Sequence, residues 1–284
     1  MRTICVVCLG LLASCGDNID PENPWTAVAS GNARTCGLQA DGALACWGWH
    51  DGTTSPPTGA FRSVSTGMRH ACGVKMDHTV DCWGDDVHGA ASPPLGTFTA
   101  LSASVDYTCG VRTDGNLACW GDPTNGQTAP PTGRFAAVST TGGHACGVRT
   151  DGTLSCWGYA AEDAQPPSGT FTSTSATPYL TCGVRTDGTV TCWGEPLLMR
   201  FFFSDEALAP TGTFTSLSFG DHHVCGVTTA GEVRCWGLDM FGEASPPSGT
   251  FTMVSAGAEH TCGVTTDRAI ACWGRNRFGE ASPP

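Results

Sequence analysis

The sequence predicts an all-β protein, a seven-bladed β-propeller of about 37-residue repeats with one disulfide inside the hairpin of each blade. Three observations predict it. A cysteine pair that encloses nine residues and is followed directly by Trp-Gly occurs seven times between Cys36 and Cys272. The 284 residues include 38 glycines and 18 prolines and show no long helical pattern. Finally, the sequence ends at residues 282–284, where a further repeat would need the strand with which the first repeat begins.

Each cysteine pair marks a β-hairpin with a turn usually written Thr-Asp-Gly. In the third repeat, residues 113–115 are expected to form a three-residue loop with glycine in the left-handed conformation. That register places Arg112 opposite Asn116 and Cys109 opposite Cys119, whereas a two-residue turn would set the sulfurs diagonally. We therefore expect an intra-hairpin disulfide in every repeat. The pairs are Cys36–Cys46, Cys72–Cys82, Cys109–Cys119, Cys146–Cys156, Cys182–Cys192, Cys225–Cys235 and Cys262–Cys272.

The cysteine spacing favours an oxidising compartment over a metal site. Zinc sites use Cys-x2-Cys or mixed Cys/His sets rather than an isolated Cys-x9-Cys pair, so no metal and no cofactor are expected. Histidines also stand two residues before the first cysteine of four repeats, and they are His70, His144, His223 and His260. Because they belong to separate repeats, we expect each to bond backbone groups of its own loop rather than to converge on a metal.

A third strand precedes each hairpin. It begins with an aromatic residue eleven positions before the first cysteine, at Trp25, Phe61, Phe98, Phe135, Phe171, Phe214 and Phe251. Length varies only between the second cysteine and the next aromatic residue, where the separations are 15, 16, 16, 15, 22 and 16. Glycine, proline and β-branched residues exclude a helical array, which leaves an open β-solenoid or a closed propeller. Closure is favoured because the first strand would seal the ring beside the last repeat.

The N-terminal residues resemble an export signal. Residues 1–14 read as a lipoprotein signal peptide, and the sequence 12–15, Leu-Ala-Ser-Cys, resembles the lipobox of bacterial lipoproteins, which implies lipidation at Cys15. An ordinary secretory signal is the alternative. Residues 15–24 are expected to be a tether and residues 25–284 the propeller. The expected location is extracytoplasmic, lipid-anchored in a bacterial cell envelope, at the outer membrane or the cell surface.

Residues 254–279 resemble the repeat of the regulator of chromosome condensation family. The shared features are a Val-Ser-x-Gly entry, His-Thr before the first hairpin strand, Asp at the turn and Trp-Gly-x-Asn-x-x-Gly after the second strand. The likeness spans residues 25–284, although the cysteine pair departs from the family pattern. It implies a seven-bladed propeller. Members include a chromatin-bound nucleotide exchange factor for a small GTPase and a secreted bacterial β-lactamase inhibitor, and both act through protein contact.

Comparison of the seven repeats separates scaffold from variable surface. The loop before each hairpin and the loop after Trp-Gly differ between repeats and should lie on one rim, whereas the Asp-Gly turns hardly differ and should lie on the other. The candidate partner-binding residues are Trp49, His50, Arg69, His88, Tyr107, Tyr159, Tyr179, Phe201, Phe202, Phe203, His222 and Arg275. The insertion at 197–208 either caps the central channel or forms an apolar patch for a partner or lipid.

Charge and motifs limit the function. The formal net charge is −12 with one lysine, Lys75, and no basic run, which argues against nucleic acid as a partner. No Ser/His/Asp order, phosphate loop or Gly-x-Ser-x-Gly elbow is present in the sequence. We therefore expect a monomeric, non-catalytic lipoprotein whose variable rim binds another protein of unknown identity. A cell-surface carbohydrate-binding or hydrolytic propeller is the alternative, suggested by the rim tryptophan and acidic residues.

Overall fold

The computed structural model describes residues 23–49, 55–159, 165–177, 180–194 and 211–284. These residues form seven three-stranded antiparallel sheets, or blades, each built from consecutive strands. Blades 1 to 4 comprise β1 Trp25–Ser30, β2 Arg34–Gln39, β3 Leu44–Gly48; β4 Phe61–Thr66, β5 His70–Lys75, β6 Val80–Gly84; β7 Phe98–Ala103, β8 Tyr107–Arg112, β9 Leu117–Gly121; and β10 Phe135–Thr140, β11 His144–Arg149, β12 Leu154–Gly158. Blades 5 to 7 comprise β13 Phe171–Ala176, β14 Leu180–Arg185, β15 Val190–Gly194; β16 Phe214–Phe219, β17 His223–Thr228, β18 Val233–Gly237; and β19 Phe251–Ala256, β20 His260–Thr265, β21 Ile270–Gly274. Within these ranges no helix is long and apolar enough to cross a membrane.

The blades form a closed ring. In each blade the strand that begins with the aromatic residue is innermost, the strand with the first cysteine is central and the Cys-Trp-Gly strand is outermost. Each inner strand contacts the inner strands of both neighbouring blades, and β1 contacts β19 as well as β4. The predicted all-β, seven-bladed propeller is therefore confirmed, and the open solenoid is excluded. The first strand seals the ring beside the last blade, as the sequence predicts.

The hairpin register is the predicted one. In blade 3, Cys109 lies opposite Cys119, the Arg112 N–H donates to the Asn116 carbonyl at 2.8 Å, and Gly115 has φ of 86°. All seven disulfides form between directly opposed cysteines, with Cα atoms 4.0–4.1 Å apart. The disulfides therefore link the central and outer strands of each blade.

Ring closure repeats one backbone contact at every step. The N–H of the first inner-strand residue donates to a carbonyl in the turn of the preceding blade, as from Phe98 to His78 at 2.8 Å. The contact from Trp25 to Arg268, at 3.1 Å, joins blade 1 to blade 7. The closing seam thus uses the same hydrogen bond as the other six, without a strand exchanged between blades.

The core of each blade is an aromatic pair packed on a glycine. The ring of Phe98 meets the Trp120 indole with centroids 5.8 Å apart, and a Cβ on Gly110 would lie 2.6 Å from the Phe98 ring. The guanidinium carbon of Arg112 lies 4.9 Å from the Phe98 ring centroid. This packing explains why every central strand reads Cys-Gly-Val or Cys-Gly-Leu, since any larger residue would displace the aromatic ring.

The four histidines before the first cysteines bridge neighbouring blades. The Nε2 atom of each contacts the hydroxyl of a threonine in the next blade. The pairs are His70–Thr108 at 2.6 Å, His144–Thr181 at 3.1 Å, His223–Thr261 at 2.6 Å and His260–Thr35 at 2.8 Å. The expectation that these histidines bond backbone within their own loops is therefore wrong. The contact is not apparent within a single repeat, because the threonine lies in the next blade, about 37 residues away in the sequence.

These histidines are neutral. The Thr261 hydroxyl donates to the Glu243 carbonyl at 3.1 Å, so its oxygen accepts the Nε2–H of His223. The remaining ring nitrogen, Nδ1, is buried without a hydrogen-bond partner among the described residues in His70 and His223. A proton there would place an unpaired cation in the seam, and burial lowers the pKa of all four histidines to about 4. We refer to these four contacts as the histidine seams.

Candidate functional site

In the blades whose loops the structure describes, the two variable loops lie at the same end of the ring. The residue that follows Trp-Gly donates its N–H to the loop between the inner and central strands, as from Trp49 to the Ala33 carbonyl and from Arg275 to the Glu259 carbonyl, both at 2.8 Å. The same contact joins Asp85 to Arg69 at 3.0 Å. The predicted grouping of these loops is therefore confirmed. We call this end the loop rim and the end with the Asp-Gly turns the turn rim.

The turn rim is uniform because its aspartates are structural. In four blades the turn aspartate accepts the N–H of the residue two positions later at 2.9 Å. These contacts are Asp77–Thr79, Asp114–Asn116, Asp151–Thr153 and Asp187–Thr189. Hydrogen bonds from those residues lower the pKa of each carboxyl. Asp41 accepts the N–H of Ala43 in the same way at 2.8 Å, whereas the turn of blade 6 has Ala230 and the Thr228 hydroxyl accepts the N–H of Glu232 at 3.1 Å. An aspartate therefore shapes most of these turns, which accounts for their similarity.

On the loop rim, the loops after Trp-Gly in blades 6 and 7 are held by buried carboxylates. Glu280 is 3% exposed and accepts the N–H groups of Arg277 and Phe278 at 3.2 and 2.6 Å. Glu243 is 2% exposed and accepts the N–H of Phe241 at 2.6 Å. The indole N–H of the next blade's tryptophan then donates to the backbone carbonyl of each glutamate at 2.9 Å. These loops therefore present their tips in a fixed conformation.

The tips of these loops form an aromatic and cationic surface across three blades. The Trp49 and Phe278 rings meet edge to face at 4.4 Å, and the Arg277 guanidinium lies 5.3 Å from the Phe278 ring centroid. Arg275 pairs with Glu259 and lies 5.1 Å from the Phe241 ring centroid. We define the blade 6–7–1 patch as Met240, Phe241, Arg275, Arg277, Phe278 and Trp49. Three of these side chains are well exposed, namely Met240 at 70%, Phe241 at 47% and Trp49 at 41%.

Sequence reasoning identified Trp49 and Arg275 but missed Met240, Phe241 and Phe278. A usable signal was present, because the loops of blades 6 and 7 share the sequence Phe-Gly-Glu-Ala-Ser-Pro-Pro at 241–247 and 278–284. A glutamate in that repeated position holds the loop from inside, which leaves the preceding aromatic residue on the surface.

The other predicted partner-binding residues are not brought together. Arg69 forms a 3.8 Å ion pair with Asp85 on blade 2, and His88 is exposed on the same blade's following loop. Tyr159 is 64% exposed on blade 4. His222 lies on blade 6, at the channel mouth. His50, Tyr179, Phe201, Phe202, Phe203, the insertion at 197–208 and the lipidation candidate Cys15 lie outside the described residues.

Tyr107 is a correction to the predicted binding set. Its side chain is fully buried, and its hydroxyl contacts the carbonyl oxygens of Thr141 and His144 at 2.8 and 2.6 Å. Burial raises the pKa of the Tyr107 hydroxyl. Tyr107 occupies the position that histidine takes in four other blades, so it fills the seam to blade 4 rather than facing a partner.

The central channel opens on the loop rim as a cavity of about 410 Å³. The last inner-strand residue and the following loop residues of all seven blades line it. Asp221 and His222 contribute its ionisable side chains within the described lining. Partial desolvation in the mouth raises the pKa of Asp221, His222 opposes that effect and Glu259 adds to it. Across the described residues, no three His, Cys, Asp or Glu side chains are grouped in a way that could hold a metal ion.

These features define a propeller with a disulfide in each blade, a turn rim of similar turns and a loop rim whose residues differ between blades. Residues 98–127, 214–243 and 252–280 match the family model of the regulator of chromosome condensation (RCC1) repeat. Three of the seven units therefore match the RCC1 repeat, and each of the seven units of the propeller carries a disulfide. No curated protein sequence matches this chain significantly.

Solved structures show the same fold. The CRINKLY WD40 ectodomain of the Arabidopsis thaliana receptor kinase ACR4 is 23% identical with a TM-score of 0.74, over 92% of this chain and 99% of that one. The ectodomain of the Physcomitrella patens receptor kinase CR4 is 26% identical with a TM-score of 0.73, over 89% and 74%. Prp20p from Saccharomyces cerevisiae is 14% identical with a TM-score of 0.67, over 90% and 84%. At these identities the likeness establishes the architecture.

Proposed function

We propose that this chain is an exported, monomeric lipoprotein, lipidated at Cys15 and tethered by residues 15–24, whose propeller binds another protein without catalysing a reaction. The observation that carries the proposal is the blade 6–7–1 patch. Aromatic and arginine side chains dominate the energetics of protein interfaces. Here they stand on loops fixed by Glu243 and Glu280, so little conformational entropy is lost when a partner binds.

The comparisons support protein contact and an extracytoplasmic location. Prp20p is described with its binding to Gsp1p and histones, and in complex with Kap60. Two other similar structures are ectodomains of receptor kinases. Seven disulfides also favour an oxidising compartment, because cytosolic thiols are kept reduced. Taken together, these features favour protein binding outside the cytoplasm.

Paired surface variants test the proposal. Met240→Ser with Phe241→Ser removes two exposed apolar side chains from the loop rim, and Met76→Ser with Leu95→Ser removes two from the other end of the ring, where they are 62% and 97% exposed. Truncating an interface anchor typically costs about 2 kcal/mol or more, which corresponds to about 30-fold in Kd. We expect the wild type and the Met76/Leu95 variant to retain one defined envelope protein and the Met240/Phe241 variant to lose it, at equal Tm.

Two results oppose the proposal. Equal retention of that protein by both double variants would place the contact elsewhere. Retention of the propeller on polysaccharide columns with no protein captured would support the carbohydrate-binding alternative, for which the exposed Trp49 and Tyr159 rings are the relevant surface. The anchor is tested separately, because Cys15→Ala should move the protein from the detergent phase to the aqueous phase in Triton X-114 partition.

A further inference from the structure

The channel mouth is a well whose lower wall is built from small residues in every blade except blade 6, which contributes Phe219. The last inner-strand positions are Ser30, Thr66, Ala103, Thr140, Ala176, Phe219 and Ala256, and the next positions are Gly31, Gly67, Ser104, Thr141, Thr177, Gly220 and Gly257. Glycine is required at several of these, since a Cβ on Gly67 would lie 2.0 Å from the Ser104 carbonyl oxygen of the next blade. The small side chains leave an open volume of about 410 Å³ on the axis.

The upper wall of the well is asymmetric. Blade 6 contributes Asp221 and His222, whereas blades 2 and 3 contribute Met68 and Val105. With seven blades in ring order, blade 6 lies across the channel from the junction of blades 2 and 3. An occupant of the mouth would therefore meet a carboxylate on one side and an apolar surface on the other.

The Asp221 carboxylate is exposed at the mouth, with His222 beside it as a group that favours its charged form. It forms no ion pair within the described residues, whereas the neighbouring Glu259 is paired with Arg275. On the opposite side, Arg34 is buried and donates to the Met68 carbonyl at 3.3 Å. Although Asp221 is exposed at the mouth, partial desolvation raises the pKa of its carboxyl, His222 opposes that effect and Glu259 adds to it. A cation bound beside Asp221 would favour its charged form.

Two hydroxyl groups behind the wall of the well lack hydrogen-bond partners among the described residues. Ser30 lines the cavity and is 8% exposed, and its Oγ atom has no hydrogen-bond partner among the described residues. The Thr66 hydroxyl of the adjacent blade is likewise buried and unpartnered. Both oxygen atoms lie beneath the cavity surface, so a ligand in the mouth would meet the carbon atoms of these side chains and the backbone rather than the hydroxyls.

We infer that the channel mouth receives one lysine or arginine side chain of the protein bound on the loop rim, with the cationic head beside Asp221 and the aliphatic stem against Met68 and Val105. The inference rests on the proposed function and specifies the chemistry of the partner. A long cationic side chain combines an apolar stem with a hydrogen-bond-donating head, which matches both walls. An acidic side chain would be repelled by Asp221, and a single carboxylate does not make a metal site.

A peptide titration tests the inference without the partner. The probes are Ac-Gly-Lys-Gly-NH2 and its uncharged counterpart with norleucine, and the readout is methyl NMR of methionine-labelled protein. The lysine peptide should shift the Met68 methyl signal and leave the Met76 signal, on the turn rim, unchanged. Asp221→Asn should weaken binding of the lysine peptide at least fivefold. Asp106→Asn, a carboxylate on the same rim that does not line the cavity, should not.

An unmoved Met68 signal, equal affinity for both peptides, or equal binding by the Asp221→Asn protein would overturn the inference. Partner capture separates it from the proposed function. Suppose that the Met240/Phe241 double variant no longer captures the partner while Asp221→Asn captures it in full. That result refutes the channel-mouth inference and leaves the proposed function standing. Suppose instead that the Met240/Phe241 variant captures the partner as the wild type does and that the lysine peptide still binds. That result refutes the proposed partner surface, but not the preference of the channel mouth for a cationic side chain.

Discussion

The histidine seams predict that mild acid destabilises the propeller. Each of the four histidines has a folded-state pKa of about 4, against an ordinary value near 6.5. Because the folded-state pKa is the lower one, the unfolded chain binds more protons between these values. The contribution of the neutral histidines to the free energy of unfolding is therefore complete above about pH 6.5, and it is lost as the pH falls towards 4.

The magnitude follows from the two pKa values. At pH 5 an unfolded histidine is almost fully protonated and a folded one almost fully neutral, which lowers the free energy of unfolding by about 2 kcal/mol per histidine relative to pH 7. Four histidines together give about 7 kcal/mol, or a decrease in Tm of about 15–30 °C for a chain of this size. The turn aspartates do not contribute in this window, since their pKa is lowered from 3.8 and their stabilisation is lost only in stronger acid.

The assay is denaturant unfolding of the oxidised protein at several pH values, followed by tryptophan fluorescence. The slope of unfolding free energy against pH should correspond to an uptake of about 3.5 protons at pH 5. His144→Gln keeps a side-chain donor for the Thr181 hydroxyl and should remove about one proton from that uptake. His88→Gln, at an exposed position on the loop rim, is the matched control and should leave the uptake unchanged.

Stability that is flat between pH 7 and 5 would refute the reasoning. So would a wild-type proton uptake in His144→Gln, or NMR signals assigned to His70, His144, His223 or His260 that titrate near pH 6.5 in the folded protein. Either result would mean that the seam histidines are not buried and neutral.

Three further predictions follow from the blades. Replacing both Cys109 and Cys119 with alanine should lower the free energy of unfolding by about 2.5–3 kcal/mol, measured by denaturant titration, because the hairpin loop then opens in the unfolded chain; an unchanged midpoint would contradict this. Gly67→Ala should cost about 1–3 kcal/mol by the same measurement, because its Cβ would displace the Ser104 carbonyl of the next blade, and wild-type stability would oppose the described seam. Replacing residues 201–203 with serine should abolish partner capture at unchanged Tm if the insertion binds the partner, whereas a large fall in Tm would indicate a channel cap.

The scaffold could be predicted from the sequence because its hairpins and disulfides depend on residues that are close together in the chain. A three-residue loop sets the hairpin register, and that register places one cysteine opposite the other. Because the spacing within the repeat is fixed, the same register and the same disulfide recur in all seven blades. The aromatic inner strand was equally visible, since its spacing to the first cysteine never changes. Each of these features depends on residues that are close in sequence or identical between repeats.

Contacts between blades were harder to predict, although one left a sequence trace. Where a blade has histidine two residues before its first cysteine, the next blade has threonine directly before its own, with blade 1 following blade 7. Where the first position is Arg34, Tyr107 or Leu180, the second is Ala71, Ala145 or Val224. The pattern appears only when the repeats are compared with an offset of one blade. Within a single repeat the histidines look like loop residues.

The exposed surface of the loop rim was predicted only in part, because the exposure of a loop residue depends on the contacts that hold the loop. Tyr107 and Tyr159 both lie near the loop rim, yet the first is buried in a seam and the second is 64% exposed. The blade 6–7–1 patch arises from contacts between three consecutive blades, across the closure of the ring, and Trp49 and Phe278 meet there although they are far apart in sequence.

The central claim is that one rim of a uniform ring carries the binding function. Photo-crosslinking on intact cells tests it most directly, with benzoylphenylalanine placed at Phe241 on the loop rim or at Met76 on the turn rim, both exposed positions. We expect one crosslinked protein from position 241 and none from position 76. Crosslinks of equal yield from both positions, or from position 76 alone, would contradict it.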